Sequence, residues 1–200
     1  MRPVVLATRN PGKASEIRSL LAGVPLEIKS LSEFPPIPEV AEDGETLEAN
    51  AIKKAAETSA GLKLPAIADD SGLEVYALEM MPGVRSARYA GEHVTYEDNN
   101  RRLLRELYEV PEKERGARFR CVAAFAAGGI VRTVEGICTG RIGFHERGDG
   151  GFGYDPLFIP DGYDETFAEL PAAMKNVISH RARAFGGLKE ILREYVDNFS

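Results

Sequence analysis

The chain has 200 residues, 44% of them apolar and 28% charged, with a formal net charge of −6 at pH 7. That supplies one sizeable domain, 1–200, of two lobes, and the acidic balance excludes a general surface for polymeric nucleic acid or an acidic membrane. No apolar run approaches a membrane span, no signal-peptide pattern opens the chain, and Cys121 and Cys138 show neither CxxC nor Cys/His spacing. Two buried thiols in a reducing, cytoplasmic setting are the expectation.

Taken in order, Pro3 to Thr8 reads as a buried first strand. Asn10 is placed to cap a helix whose first residue is Pro11, with Ala14, Ile17, Leu20 and Leu21 as its apolar stripe. Residues 31–44, with Pro35, Pro36 and Pro38, read as a loop, followed by a helix from Glu45 to Ala60 that stops at Gly61. A strand then runs into Asp69-Asp70, and a second one covers Leu73 to Tyr76.

The segment Pro82 to Tyr89 shows no period, and a polar helix with a solvated charged face is expected over Thr95 to Tyr108. Arg118 to Ala127 and Ile130 to Ile142 form a hairpin across Gly128-Gly129. A glycine-rich loop, a short strand at Leu157 to Ile159 and a helix from about Ser179 follow. Interleaved strands and helices predict an α/β chain built on a mixed β-sheet flanked by helices.

The chemistry concentrates where the apolar run Ala66-Ile67-Ala68 ends on Asp69-Asp70-Ser71-Gly72. Strand carboxyl ends are where α/β proteins bind ligands, and adjacent carboxylates repel unless a cation lies beside them. Hard oxygen donors favour Mg²⁺. The same residues also make an ordinary polar turn.

Thr8-Arg9-Asn10-Pro11-Gly12-Lys13 joins a strand to a helix N-terminus, aiming backbone N–H groups and the helix dipole at an anion. It lacks the glycine spacing of a Walker A loop. Gly148 to Gly153 formally matches GxGxxG, but a strand follows it, so no dinucleotide-binding unit is present. That loop permits close approach to a flat ligand, with Phe152 or Tyr154 as a stacking face and Asp155 as an acceptor. Thr46, Asn50 and Lys54 form one polar stripe on the second helix, a pattern that usually faces solvent. Lys175 to Arg181 gathers donors at the start of the last helix, the unfavourable end for cations.

Read together, these segments resemble the inosine/xanthosine triphosphate pyrophosphatase family. The matching pieces run in order: Thr8-x-Asn10-x-x-Lys13; Glu42-x-Gly44-x-Thr46 with Asn50-Ala51-x-x-Lys54-Ala55; Ala68 to Leu73; Pro82-Gly83-Val84-x-Ser86-Ala87-Arg88-Tyr89; Gly151 to Phe158; and Lys175-Asn176-x-Ile178-Ser179-His180-Arg181. The resemblance implies an elongated α/β fold with two lobes around a central cleft, a homodimer, and Mg²⁺-dependent cleavage of ITP, XTP and their deoxy forms to monophosphate and pyrophosphate.

By position, the resemblance makes Asp70 the proton acceptor and a metal ligand, with Glu42 the other acidic ligand. Thr8, Arg9, Asn10, Pro11, Gly12, Lys13, Ser71 and Lys175 would grip the phosphates, with Lys54 assisting. Phe152, Gly153, Tyr154 and Asp155, with His180 and Arg181, would surround the base. Asp69 would support its neighbour. Two readings compete. One is a pyrophosphatase of other non-standard or modified nucleoside triphosphates, against which Phe152 to Asp155 and His180-Arg181 favour a 6-keto purine. The other is a nucleotide-binding regulator without turnover, which predicts a missing metal ligand or base although Glu42, Asp69 and Asp70 are all present.

Overall fold

The computed structural model describes residues 2–198 and contains one six-stranded sheet in the order β2-β1-β3-β4-β5-β6. The strands are β1 (Arg2–Leu6), β2 (Leu26–Ser30), β3 (Ala66–Val75), β4 (Gly116–Ala127), β5 (Ile130–Ile142) and β6 (Phe158–Pro160). The helices are α1 (Pro11–Leu20), α2 (Leu47–Leu62), α3 (Tyr96–Glu106), α4 (Ala172–Ile178) and α5 (His180–Asp197). β1 pairs in parallel with both β2 and β3, while β5 and β6 are antiparallel, so the sheet is mixed. No helix among the described residues is long and apolar enough to cross a membrane.

The residues fall into two compact units. The first comprises 1–70, 121–136 and 181–200, and the second 71–120 and 137–180. Each has its own apolar core. Val4, Leu6, Ile17, Ile67, Phe125, Phe185 and Leu188 are buried in the first. Leu73, Leu103, Phe119, Phe158 and Phe167 are buried in the second. Full burial of one such side chain is worth about 1.5–3 kcal/mol.

Local chemistry accounts for the element ends. Asn10 accepts a hydrogen bond from the Lys13 N–H and Pro11 opens α1, as expected. Thr46 caps α2 through the Ala49 N–H. Thr95 and Asp98 form a reciprocal capping box at the start of α3. Gly128 and Gly129 both take positive φ, the two-residue turn that suits a twisted hairpin.

Several expectations are corrected. Asp69 to Gly72 makes no turn: β3 runs unbroken from Ala66 to Val75. The strand continues because both carboxylates have cationic partners and because Gly72 has no side chain where the Gly83 carbonyl passes. α2 runs past Gly61 to Leu62 and is capped by Lys63, which takes the left-handed conformation two residues before Pro65.

Gly83–Arg88 is a 3-10 helix, a period too short to announce itself in sequence. The edge strand β2 and the seven-residue α4 were not anticipated. Ser179 stands in extended backbone between α4 and α5.

Candidate active site

In the first unit, three elements bring charge together. The β1–α1 loop is shaped by its own side chains: Thr8 Oγ1 accepts from the Asn10 N–H at 3.2 Å, and Asn10 Oδ1 from the Lys13 N–H at 3.1 Å. The opening of α1 is thereby pre-formed, with its dipole and Lys13 on one anion-directed terminus. Arg9 turns to Glu39 at 3.0 Å and to the Ile37 carbonyl, tying the loop to the proline-rich segment. A groove of about 730 Å³ opens there, lined in part by Arg9, Asn10, Ser15 and Arg18.

Asp69 is 1% exposed and sits between two cations. Lys13 Nζ stands 3.2 Å from its Oδ2, and Arg181 Nε stands 3.4 Å from the same oxygen. Burial opposes its ionisation, but Lys13 and Arg181 outweigh burial and hold the carboxyl below the usual carboxylate range. Arg181 is completed by Glu16 at 2.5 Å. Its own burial is overcome by Asp69 and Glu16, which keep the guanidinium charged.

Asp70, the next residue, faces another set, because alternate strand residues point to opposite faces. Asn50 Nδ2 donates to its Oδ2 at 3.0 Å, and Lys54 Nζ lies 3.7 Å from Oδ1 and 2.9 Å from Glu42. Burial pushes Asp70 up, against the opposing pull of Lys54 and Lys13. Burial would lower Lys54, but Asp70, Asp69 and Glu42 raise it, so it remains an ammonium. The Gly44 N–H donates to Asn50 Oδ1 at 2.8 Å, and a side chain at Gly44 would collide with that oxygen.

Glu42 and Asp70 therefore converge on one ammonium, a hard-oxygen pair with Glu42 partly open to solvent. Among the described residues no three His, Cys, Asp or Glu side chains assemble a closed metal cage. Two carboxylates with the remaining positions left to phosphate oxygens and water is how Mg²⁺ is commonly held, so the donor set fits such an ion.

In the second unit, Phe152 to Asp155 fold back on themselves. Asp155 Oδ2 accepts from the Phe152 N–H at 2.8 Å and from Lys175 Nζ at 2.6 Å. Lys175, on α4, also lies over the Phe152 ring, 5.0 Å from its centroid. Tyr154 is buried and donates from its hydroxyl to the Ser86 carbonyl at 2.9 Å. Phe152 is half-buried. His180 stacks on Phe119, with ring centroids 4.6 Å apart and planes 13° from parallel.

The expected residues thus form two groups with altered company. Thr8 to Lys13, Glu42, Asp70 and Arg181 belong to the first unit; Ser71, Phe152 to Asp155, Lys175 and His180 belong to the second. Lys175, expected with the phosphate loop, is paired with Asp155 beside Phe152. Arg181, expected at the base, is paired with Asp69 and Glu16. Sequence reasoning left out Asn50 and Glu16. Asn50 had a signal in its four-residue spacing from Lys54 and Thr46, and Glu16 had none.

The sheet, the pre-formed strand-to-helix loop and the paired acids under lysines define a mixed α/β protein with a site of opposed charges. Comparison gives the family. Residues 4–191 match the Ham1 family, and the chain belongs to it. It is 51% identical over 193 residues to a dITP/XTP pyrophosphatase of Geobacter sulfurreducens, covering 96% of this chain and 97% of that protein. To the dITP/XTP pyrophosphatase of Desulfotalea psychrophila it is 50% identical over 187 residues, covering 93% and 83%. The solved structure of a HAM1 protein from Coxiella burnetii is 38% identical, with a TM-score of 0.88 over 97% of this chain and all of that one.

Proposed function

We propose that this chain hydrolyses non-canonical purine nucleoside triphosphates (ITP, dITP, XTP and dXTP) to the monophosphate and pyrophosphate. The observation that carries the reading is the Asp70 carboxylate, buried in hydrogen-bond contact with Asn50 and close to the Lys54 ammonium and Lys13. A carboxylate whose pKa is raised by burial is a stronger base than a solvated one, which suits it to activate water. The names of the relatives support the same reaction and substrate class.

In this reading the α1 terminus, Thr8 to Lys13, Ser71 and Lys54 bind the phosphate chain and offset charge developing on the leaving pyrophosphate. Glu42 and Asp70 would hold Mg²⁺, which when bound neutralises phosphate oxygens and favours attack at phosphorus. Asp69 holds Lys13 and Arg181 in place.

On the base side, Phe152 offers a stacking face, and Gly153 and Tyr154 shape the loop around it. Asp155 fixes Lys175 beside that ring. Lys175 and His180 supply donors. A 6-keto purine accepts from such donors, whereas adenine presents an amino group to them, and each buried group left unpaired costs about 1–3 kcal/mol. A homodimer belongs to the same reading, and sedimentation equilibrium checks it.

Pyrophosphate release from ITP, XTP, dITP, ATP and GTP, with Mg²⁺ and with EDTA, tests the proposal. Turnover of the first three that requires Mg²⁺, with little of the last two, is the expected result. Nucleotide binding with no pyrophosphate from any substrate would move the reading to a binding protein.

A further inference from the structure

Helix α3 has so far had no part in the site, yet it carries two buried asparagines, Asn99 and Asn100. Asn99 has an evident structural task. It accepts from the Ala90 N–H at 2.7 Å and donates to the Ala87 carbonyl at 3.1 Å, pinning the 3-10 helix to α3. Asn100 reaches elsewhere. Its Nδ2 donates to Glu146 Oε1 at 2.6 Å and to the Gly153 carbonyl at 3.2 Å.

Both neighbours of that amide are acceptors, so the nitrogen must face them and the side chain has one permitted orientation. Its Oδ1 is buried with no hydrogen-bond partner among the described residues. An apolar side chain would fill the position without that penalty, so packing alone does not account for an asparagine here.

One helical turn earlier on the same face, Tyr96 meets Phe152 with ring centroids 6.3 Å apart. α3 therefore grips the glycine-rich loop at two adjacent residues, by the ring of Phe152 and the carbonyl of Gly153. Gly153 sits at φ 64°, where its peptide has no side chain to hold it in place. The Asn100 hydrogen bond supplies that restraint.

We infer that Asn100 is a positioning residue for base recognition. With Tyr96 it fixes the Gly153 peptide, and through it the direction of the Phe152 ring. The inference rests on the proposed assignment of Phe152 to the purine.

The test is steady-state hydrolysis of ITP and ATP by Asn100→Ala and Asn100→Asp, with melting curves beside it. Asn100→Asp keeps the shape but turns a carboxylate toward two acceptors. The expected result is a KM for ITP raised about ten-fold in both. The kcat should stay within about three-fold of the parent, and the ITP-over-ATP preference in kcat/KM should fall. Glu146→Gln, which still offers an oxygen to Nδ2, should keep the parental KM.

A lowered melting temperature and kcat with unchanged KM and preference would reduce Asn100 to a structural residue and overturn the inference. Should both Asn100 variants fail to fold, Tyr96→Ala at an exposed position decides: a KM raised several-fold supports the inference, and an unchanged one overturns it. ITP turnover by the parent protein separates the two readings. If the parent turns over ITP and the variants keep its KM, only the role of Asn100 fails. If the parent does not, the proposed function falls and this inference with it.

Discussion

Asn50 donates a 3.0 Å hydrogen bond to Asp70 while its own oxygen accepts from the Gly44 N–H at 2.8 Å. One amide thus fixes the orientation of the proposed base and the path of the loop that carries Glu42. Asn50→Ala should lower kcat by about 10–100-fold, the usual penalty for losing a partner that orients a ligand or base. Comparing kcat at saturating Mg²⁺ for parent and variant checks it. An unchanged value would mean that Asp70 needs no such support.

Asp70 is held at a cost to the fold. Its pKa is raised by burial despite Lys54 and Lys13, so at neutral pH its charged form is less favourable folded than unfolded. The stability linked to its protonation is fully present below the ordinary aspartate value and is lost as pH rises through the higher folded value. Asp70→Asn should therefore cut kcat by about 10²–10⁴-fold. Without divalent metal, it should also raise the melting temperature at pH 7, a gain that shrinks in acid. A variant that melts lower than the parent at pH 7 would contradict this.

Asp69 behaves oppositely. Burial opposes its charge but Lys13 and Arg181 prevail, so its pKa is depressed and its contribution to stability is present above the ordinary aspartate value. That contribution is lost as pH falls through the lower folded value. Asp69→Asn leaves the buried Arg181 and the half-buried Lys13 short of their carboxylate and should destabilise by about 3–5 kcal/mol at pH 7. Urea unfolding from pH 7 to pH 2 should show the two proteins converging in acid. A constant gap would place the effect in packing instead of charge.

Gly72 lies against the Gly83 carbonyl, and any added Cβ would fall well inside contact distance of that backbone oxygen. The neighbouring Ser86 hydroxyl accepts from the Leu73 N–H at 2.9 Å and donates to the Gly83 carbonyl at 2.6 Å, so neither side yields easily. Gly72→Ala should destabilise by about 1–3 kcal/mol, as overpacking does. Circular dichroism melts measure it, and a loss below about 0.5 kcal/mol would show that the 3-10 helix relaxes.

Much of this was legible in the chain itself. The Asn10 cap, Pro11 and the Gly-Gly hairpin are local signals that the structure keeps, whereas the acid pair falls inside β3 and not at its end. Non-local signals were lost. A polar stripe at Thr46, Asn50 and Lys54 looks solvated until Asp70 and Glu42 are brought to it, whereupon Asn50 is 1% exposed. Glu16 acquires meaning only when Arg181, far along the chain, arrives beside it. β2 was hidden because a five-residue edge strand has one buried side chain and too little alternation to register.

The first unit's core also sets an order of events during synthesis. Val4, Ile17, Ile67 and Phe125 share that core with Phe185, Leu188 and Leu192 of α5, which leave the ribosome after them. At the usual pace of about 5–20 residues per second, the strands made earlier wait several seconds for the helix that covers them. A nascent chain stalled short of Arg181 therefore carries exposed apolar surface, and it is at that stage that a chaperone has most to bind.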